Sequence, residues 1–154
     1  MTRNLYKLTS HLLPLIAFLF IANVGKGAEL DAETKALIAK AEQGVDWAQS
    51  LLGVKYALGE GVPQDYKEAV KWYRKAAEQG YAKAQHNLGL MYDNGQGVLK
   101  DDVNAYAWCN VASANGSKVA SKNRDLIAKE MTPEQIAEAQ ELSKVWFEEY
   151  QPKE

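Results

Sequence analysis

The sequence repeats itself with a period of 36 residues. Residues 48–83 laid over residues 84–119 without a gap are identical at 13 of 36 positions. Self-similarity at a fixed period of about 20–50 residues is typical of arrays in which each unit buries its apolar face only against its neighbours. The matched pairs include Ala48 and Ala84, Gln49 and Gln85, Leu52 and Leu88, Gly53 and Gly89, Trp72 and Trp108, and Ala76 and Ala112. The period therefore predicts a repeat protein with two full units.

The matched residues have the spacing of helices. Ala48, Leu52 and Tyr56 are four residues apart and share one stripe, and Trp72 and Ala76 belong to a second stripe of the same kind. Apolar residues three and four apart form the buried face of an amphipathic helix. Each unit is therefore predicted to be a pair of helices, and the fold class is all-α.

Helix starts are indicated by short polar residues followed three positions later by Glu or Gln. Asp46 with Gln49 and Asp65 with Glu68 fit this capping box, in which the first side chain accepts a bond from a free backbone N–H. Thr132 stands in the same relation to the residues after it, and it is followed by a proline, which is favoured in the first helical turn. The sequence thus predicts helix starts at all three places.

Glycines divide the units and occur inside them. Gly59 and Gly80 stand where the two helices of the first unit should end, since glycine adopts the left-handed cap conformation without a side-chain clash. Gly53 and Gly89 fall inside helices, where glycine costs about 1 kcal/mol relative to alanine. Close approach of a neighbouring helix is the predicted compensation for that cost.

Fragments of the period extend beyond the two full units. Residues 31–43 match the end of a unit and predict an N-terminal half repeat, a single second helix that covers the first full unit. Downstream, Ala120 keeps the period, but Arg124 and Asp125 replace the expected leucine and glycine. Residues 118–150 are therefore predicted to form capping helices that shield the last apolar face from water.

The N-terminus has the pattern of a secretory signal peptide. Arg3 and Lys7 precede a short apolar run, and small residues stand before a possible cleavage site at Ala28. The run is shorter than the roughly 20 apolar residues of a membrane-spanning helix, so we expect no stable membrane span after cleavage. We therefore predict a signal peptide at residues 1–27, a single domain at residues 28–154, and export to the periplasm or the outside of the cell.

Composition and motifs argue against several classes of function. The formal net charge of −2 gives no general reason to bind nucleic acid. The single cysteine, Cys109, excludes multi-cysteine zinc sites and is interpreted as a small core residue. His86 is interpreted as a surface histidine, and no serine-hydrolase, zinc-protease or phosphate-loop motif occurs. We expect no cofactor, no metal and no enzymatic activity.

The residues of the two units carry a resemblance to a known family. The run from residue 48 to residue 80, which includes Gly53 and Trp72, closely resembles the Sel-one-like repeat, a relative of the tetratricopeptide repeat, and the second unit matches almost as well. The resemblance implies a right-handed α/α superhelix that serves protein recognition. It also implies that the first helices of the units line a concave face.

By that resemblance, ten positions of the two first helices are candidates for binding a partner. They vary between the units, as recognition residues can, and they combine apolar with scattered polar side chains, which suits a peptide or an amphipathic helix. The candidates are Trp47, Ser50, Val54, Ala57, Leu58, Lys83, His86, Leu90, Asp93 and Asn94. Val54 and Leu90 have the alternative role of completing the packing between helices.

Three functions remain open from the sequence. The leading hypothesis is an exported, non-catalytic module that binds a protein or peptide on its concave face. The second is a cell-envelope enzyme or a protein that binds the cell wall, which the signal sequence and the surface carboxylates suggest. The third is a structural role, in which the short solenoid associates with copies of itself.

Overall fold

The structure is a computed structural model that describes residues 30–152, and within this range the chain is helical and has no strand. The helices are α1 (Ala32–Glu42), α2 (Asp46–Leu58), α3 (Tyr66–Ala77), α4 (Ala82–Asn94), α5 (Asp102–Ala114), α6 (Lys118–Ile127), a short 3-10 helix (Ala128–Glu130) and α7 (Pro133–Glu149). The predicted signal peptide, residues 1–27, lies outside the described residues and stays a prediction. No helix in the described range is both long and apolar enough to cross a membrane.

Each helix from α1 to α5 packs against the next one in the chain. The pairs α2 with α3 and α4 with α5 are the hairpins of the two full units, α1 is the half repeat before them, and α6 and α7 follow them. The prediction of an all-helical repeat solenoid is confirmed.

The two tryptophans of the repeat lie in the core and join neighbouring units. Trp72 of α3 belongs to a buried cluster with Leu37 of α1 and Leu52 of α2. Trp108 of α5 belongs to a second buried cluster, which contains Leu88 of α4 and several residues of α3. Each tryptophan therefore buries its rings against its own hairpin and against the helix before it. Neither unit can cover this apolar surface alone.

The two glycines inside helices mark close helix contacts, as predicted. A Cβ atom added at Gly53 would lie 2.6 Å from Cδ1 of Tyr73, and one added at Gly89 would lie 2.8 Å from Sγ of Cys109. Real Cβ atoms do not approach other atoms so closely, so glycine is required for each hairpin to pack. The packing energy gained at this close contact offsets the free-energy cost of placing glycine inside a helix.

The predicted caps were right at two places and wrong at one. Asp65 caps α3, since its Oδ1 accepts bonds from Lys67 N at 2.9 Å and Glu68 N at 3.1 Å. Thr132 and Gln135 form a complete capping box at the start of α7. Asp46 is already inside α2 and does not cap it. The reason is that the backbone N–H of its predicted partner, Gln49, bonds the carbonyl of Val45 at 2.9 Å, so the helix begins one residue earlier with Val45 as its N-cap.

That partner, Gln49, is buried and joins successive units through a polar ladder. Its side-chain amide donates to a carbonyl at the end of α1 and accepts from a side chain in the turn after α3. Gln85, one period later, makes the same two bonds with the end of α3 and the turn after α5. The four bonds are Gln49 Nε2 to Ala41 O (3.1 Å), Gln79 Nε2 to Gln49 Oε1 (2.8 Å), Gln85 Nε2 to Ala77 O (3.0 Å) and Asn115 Nδ2 to Gln85 Oε1 (2.9 Å). The ladder satisfies carbonyl groups that a helix end leaves unpaired.

The outer side of α1 is polar where the full units are apolar. Ala69 and Ala76 are fully buried against the first helix of their unit. The residues one period earlier are Glu33 and Lys40, and both are exposed. This exchange of alanine for charge makes α1 suited to cover the first full unit while its own outer side faces water.

The last helix does not form a third regular hairpin. Asp125 occupies the position of Gly53 and Gly89, and its side chain is incompatible with the close approach that those glycines allow. Consequently α7 makes its main contacts with α5 rather than with α6. Trp146 of α7 stacks on Trp108 with ring centroids 4.4 Å apart, so α7 covers the last core tryptophan.

Candidate protein-interaction face

The first helices of three successive units, α2, α4 and α6, share one register. Ala48, Ala84 and Ala120 occupy equivalent positions at the period of 36, and each has no exposed surface. The register therefore continues into the third unit although its second half has diverged. We call the exposed and half-buried side chains of α2, α4 and α6 the first-helix face.

The structure leaves nine of the ten predicted residues at least partly accessible. Trp47 is 43% exposed and Leu58 is 60% exposed. Lys83 and Asn94 are also exposed. The half-buried members of the set are Val54, Ala57, His86, Leu90 and Asp93. These nine belong to the first-helix face.

Ser50 does not meet the expectation of an accessible position. Its side chain is buried, with 5% of its surface exposed. Residues three apart on a helix share a face, and Ser50 is three residues before Gly53, which faces Tyr73 of α3. Ser50 is therefore covered by other residues of the described chain and is not accessible to a partner.

Three apolar residues of this face were missed by the sequence reasoning. They are Leu51, Val119 and Leu126, which are 42%, 58% and 57% exposed. Ala120 gave the signal that could have found the last two, since it carries the period into α6 and makes Val119 equivalent to Trp47. The candidate site therefore extends over three helices and not two.

Exposed apolar surface is concentrated on the first helices. Within residues 30–152, seven large apolar side chains are exposed, and five of them lie on α2 or α6. The five are Trp47, Leu51, Leu58, Val119 and Leu126, and the other two are Leu99 and Val145. Scattered single apolar residues on a surface need no explanation, whereas five on two equivalent helices make these helices the candidate for contact with another molecule.

Three of the apolar side chains form a row across the helices. Val54, Leu90 and Leu126 occupy the same position in successive units. Val54 and Leu90 are half-buried and Leu126 is exposed, so the row is set at the surface of the helices and is only partly covered by them. We call these three residues the central row.

Two lysines of the first-helix face precede the central row on their helices, Lys83 before Leu90 and Lys122 before Leu126. Lys83 is equivalent to Trp47 and Val119, and Lys122 is equivalent to His86. Both lysines are exposed, and neither makes an ion pair with a residue of the described range. The first-helix face therefore combines exposed apolar side chains on α2 and α6 with lysines on α4 and α6 that make no ion pair in the described range.

His86 is held by a neighbouring helix rather than being free at the surface. Its Nε2 lies 2.7 Å from the amide nitrogen of Asn123 on α6. The ring is half-buried, and burial lowers its pKa below the ordinary value of 6.5. With the amide as donor, Nε2 accepts, which fits the neutral ring that burial favours.

An open groove of about 510 Å³ lies at the end of the face where the first helices begin. The turns before α2 and α4 line it, and Lys83, Asn115 and Pro152 complete its wall. Its residues come from the inter-unit turns that the polar ladder holds together. The groove extends the first-helix face along its edge.

The one cysteine is buried, and the described residues hold no cluster of metal ligands. Burial raises the pKa of Cys109 to about 12, and its thiol has no exposed surface, so it is a core residue as predicted. Within residues 30–152, no three His, Cys, Asp or Glu side chains lie together as a metal site would require.

Comparison with known proteins agrees with this geometry. A family model described as Sel1 repeat matches residues 48–81 and 82–117. The chain therefore carries two Sel1 repeats within a helical-repeat solenoid. Sel1 repeats typically mediate contacts between proteins, and the fold is generally a non-enzymatic scaffold.

Solved structures with this fold include two bacterial proteins. One is c5321, described as a protective antigen present in uropathogenic Escherichia coli strains and displaying an SLR fold; it is 36% identical over 90% of this chain and 30% of its own, with a TM-score of 0.76. The other is a Sel1 repeat protein from Oxalobacter formigenes, 44% identical over 56% of this chain and 25% of its own, with a TM-score of 0.55. The chain thus spans less than a third of either protein. No curated protein matches it.

Proposed function

We propose that this chain is an exported, non-catalytic module that binds a protein or peptide partner on its first-helix face. The observation that carries the proposal is the concentration of exposed apolar side chains on α2 and α6, five of the seven within residues 30–152. An exposed apolar surface of this kind costs free energy in water, and a partner that covers it recovers that cost.

Export is supported by the pattern of residues 1–27, in which a basic start, a short apolar run and small residues follow one another. Removal of this segment would take out three basic residues and no acidic one. The exported chain would then be more acidic than the formal net charge of −2 indicates.

Affinity capture from a bacterial envelope extract, with a matched pair of variants, tests the binding face. Leu58→Asp with Leu126→Asp places two charges on the first-helix face. Leu99→Asp with Val145→Asp places two charges at exposed apolar positions away from it. We expect a captured partner to be lost with the first pair and kept with the second, while circular dichroism shows both variants folded.

Other outcomes of the same experiment would replace the proposal. A partner that binds both variants equally would place the contact on another surface. Retention of both variants on cell-wall sugar would favour a wall-binding protein. A size in solution that rises with concentration, with no captured partner, would favour self-association.

A further inference from the structure

The charge of this chain is distributed unevenly over its helices. The helix α7 carries five glutamates and one lysine, and it packs on α5, a second helix. The three first helices instead carry five basic and three acidic residues. The positive excess of the first helices lies on α6, which carries three basic and one acidic residue, while α2 and α4 each carry one of either sign.

The acidic groups of the first helices are mostly engaged. Asp125 pairs with Arg124 at 2.7 Å, and Asp93 lies 3.9 Å from Nζ of Lys100. Asp46 accepts a bond from the N–H of Trp47 at the start of α2. These contacts leave Asp46 as the one first-helix carboxylate without a basic partner in the described range.

Three lysines on α4 and α6 have no acidic partner within the described range. Lys83, Lys118 and Lys122 are exposed and make no ion pair with a described residue. Lys83 lies on α4, and the other two lie within the first turns of α6. Positive charge therefore lies near the starts of α4 and α6, with Lys83 two helical turns before Leu90 and Lys122 one turn before Leu126.

We infer that the segment bound by the first-helix face is an acidic peptide, whose apolar side chains cover the central row and whose carboxylates pair with Lys83 and Lys122. This inference rests on the proposed function and names the chemistry of its partner. A charge pattern of this kind steers an oppositely charged partner and disfavours a like-charged one, while the apolar contact supplies most of the affinity.

Selection from a displayed library of random 12-residue peptides tests the inference directly. The purified chain is compared with the variant Lys83→Glu with Lys122→Glu. A control variant, Lys67→Glu with Lys144→Glu, changes the net charge equally at exposed lysines of α3 and α7. The readout is the charge and apolar content of the enriched peptides.

We expect peptides enriched by the native chain and by the control to combine apolar residues with Asp and Glu. Their affinity should fall between about 2-fold and 30-fold in the Lys83→Glu, Lys122→Glu variant, since an exposed ion pair contributes modestly and two are lost. Selection with that variant should turn to peptides rich in Lys and Arg. The loss should shrink as salt is raised.

Different results would contradict the acidic-peptide inference and the proposed binding function. Enriched peptides without acidic residues, or affinities that the charge reversal does not change, would overturn the inference while leaving the face as a binding site. Peptides that bind the Leu58→Asp, Leu126→Asp variant as well as the native chain would overturn the proposed function itself.

Two further measurements separate other occupants of the face. Lysine-dependent sedimentation with anionic lipid vesicles, without enrichment of acidic peptides, would overturn the inference in favour of a membrane surface. A second copy could also dock its acidic α7 here. Growth of particle size with concentration, abolished by the charge reversal and again without peptide enrichment, would overturn it in favour of self-association.

Discussion

His86 shows how a single residue of the first-helix face is tuned by its surroundings. Burial against its neighbours lowers the pKa of the ring, and Asn123 holds its Nε2 from the next unit. The neutral ring is therefore the form that the folded chain favours. Sequence reasoning left it as a surface histidine, because the partner that holds it is 37 residues away in the chain.

The lowered pKa of His86 predicts a loss of stability in mild acid. Between the unfolded pKa of 6.5 and the lower folded pKa, the unfolded chain binds more protons than the folded one. The contribution of the neutral ring is therefore present above pH 6.5 and is lost as the pH falls through the folded pKa. We expect the thermal midpoint to fall more between pH 7.5 and pH 5.5 in the native chain than in His86→Gln.

The measurement is thermal unfolding followed by circular dichroism at both pH values. Carboxylates contribute equally to both proteins, so the difference between them isolates the histidine. Equal falls in the two proteins would contradict the prediction.

At the scale of helices, α7 is the element whose position depends most on tertiary contacts. Its start is local, since Thr132 and Gln135 form a capping box. Its place on α5 comes from distant residues: Trp146 and Tyr150 both stack on Trp108. The helix is therefore attached to the solenoid chiefly through one aromatic cluster.

Removing Trp146 should loosen α7 from the solenoid. Truncation of a fully buried aromatic side chain to alanine costs about 3–5 kcal/mol, and Trp146 is half-buried, so we expect Trp146→Ala to lower the free energy of unfolding by ~2–3 kcal/mol. Limited proteolysis should then cut first within residues 133–149. Val145→Ala on the exposed side of the same helix is the control, and it should change neither the stability nor the cleavage pattern beyond about 0.5 kcal/mol.

Equal effects of the two substitutions would show that α7 is not held by its aromatic contact. Faster cleavage in both would point to intrinsic fraying of the helix. We expect the native chain and the Val145→Ala variant to resist cleavage within residues 133–149 and the Trp146→Ala variant to be cleaved there.

At the scale of the whole molecule, the units are joined by apolar contacts and by the polar ladder. Gln49 and Gln85 lie at equivalent positions, and each connects three helices or turns through one buried amide. A buried amide in this position fixes the distance between neighbouring units, because its bonds are lost if the units shift. The ladder therefore sets the register in which the first helices present their side chains.

Replacing a ladder glutamine should weaken the whole array. Gln85→Leu leaves the carbonyl of Ala77 and the amide of Asn115 without their partner, which costs about 1–3 kcal/mol. Gln64→Leu is the matched control, because Gln64 also bonds a backbone carbonyl, that of Ala57, but on the exposed surface. Urea unfolding should show a lower midpoint for Gln85→Leu and little change for Gln64→Leu.

The two variants differ because the side-chain amide of Gln85 is buried and that of Gln64 is exposed. Equal shifts in the two variants would show that burial of the ladder adds nothing. A separate early transition in Gln85→Leu would show that the second unit unfolds independently of the first.

Much of this architecture could be predicted from local patterns. The helices of the full units, the cap at Asp65 and the close approach at Gly53 and Gly89 all follow from residue types at helical spacing. The error at Asp46 has a definite cause. The capping pattern requires only an Asp and a Gln three residues apart, but the backbone N–H of Gln49 bonds Val45, so the helix begins one residue before the pattern predicts.

The amino-acid sequence by itself determined that the chain forms helical hairpins in a register of 36 residues, because helix periodicity and glycine positions act over a few neighbouring residues. Only the tertiary structure decided that Ser50 is buried, that Leu126 is exposed and that α7 rests on α5. The physical reason is that exposure and docking depend on which distant helix covers a side chain. A periodic pattern shows which side of a helix is apolar, and the neighbours decide which part of that side remains open to a partner.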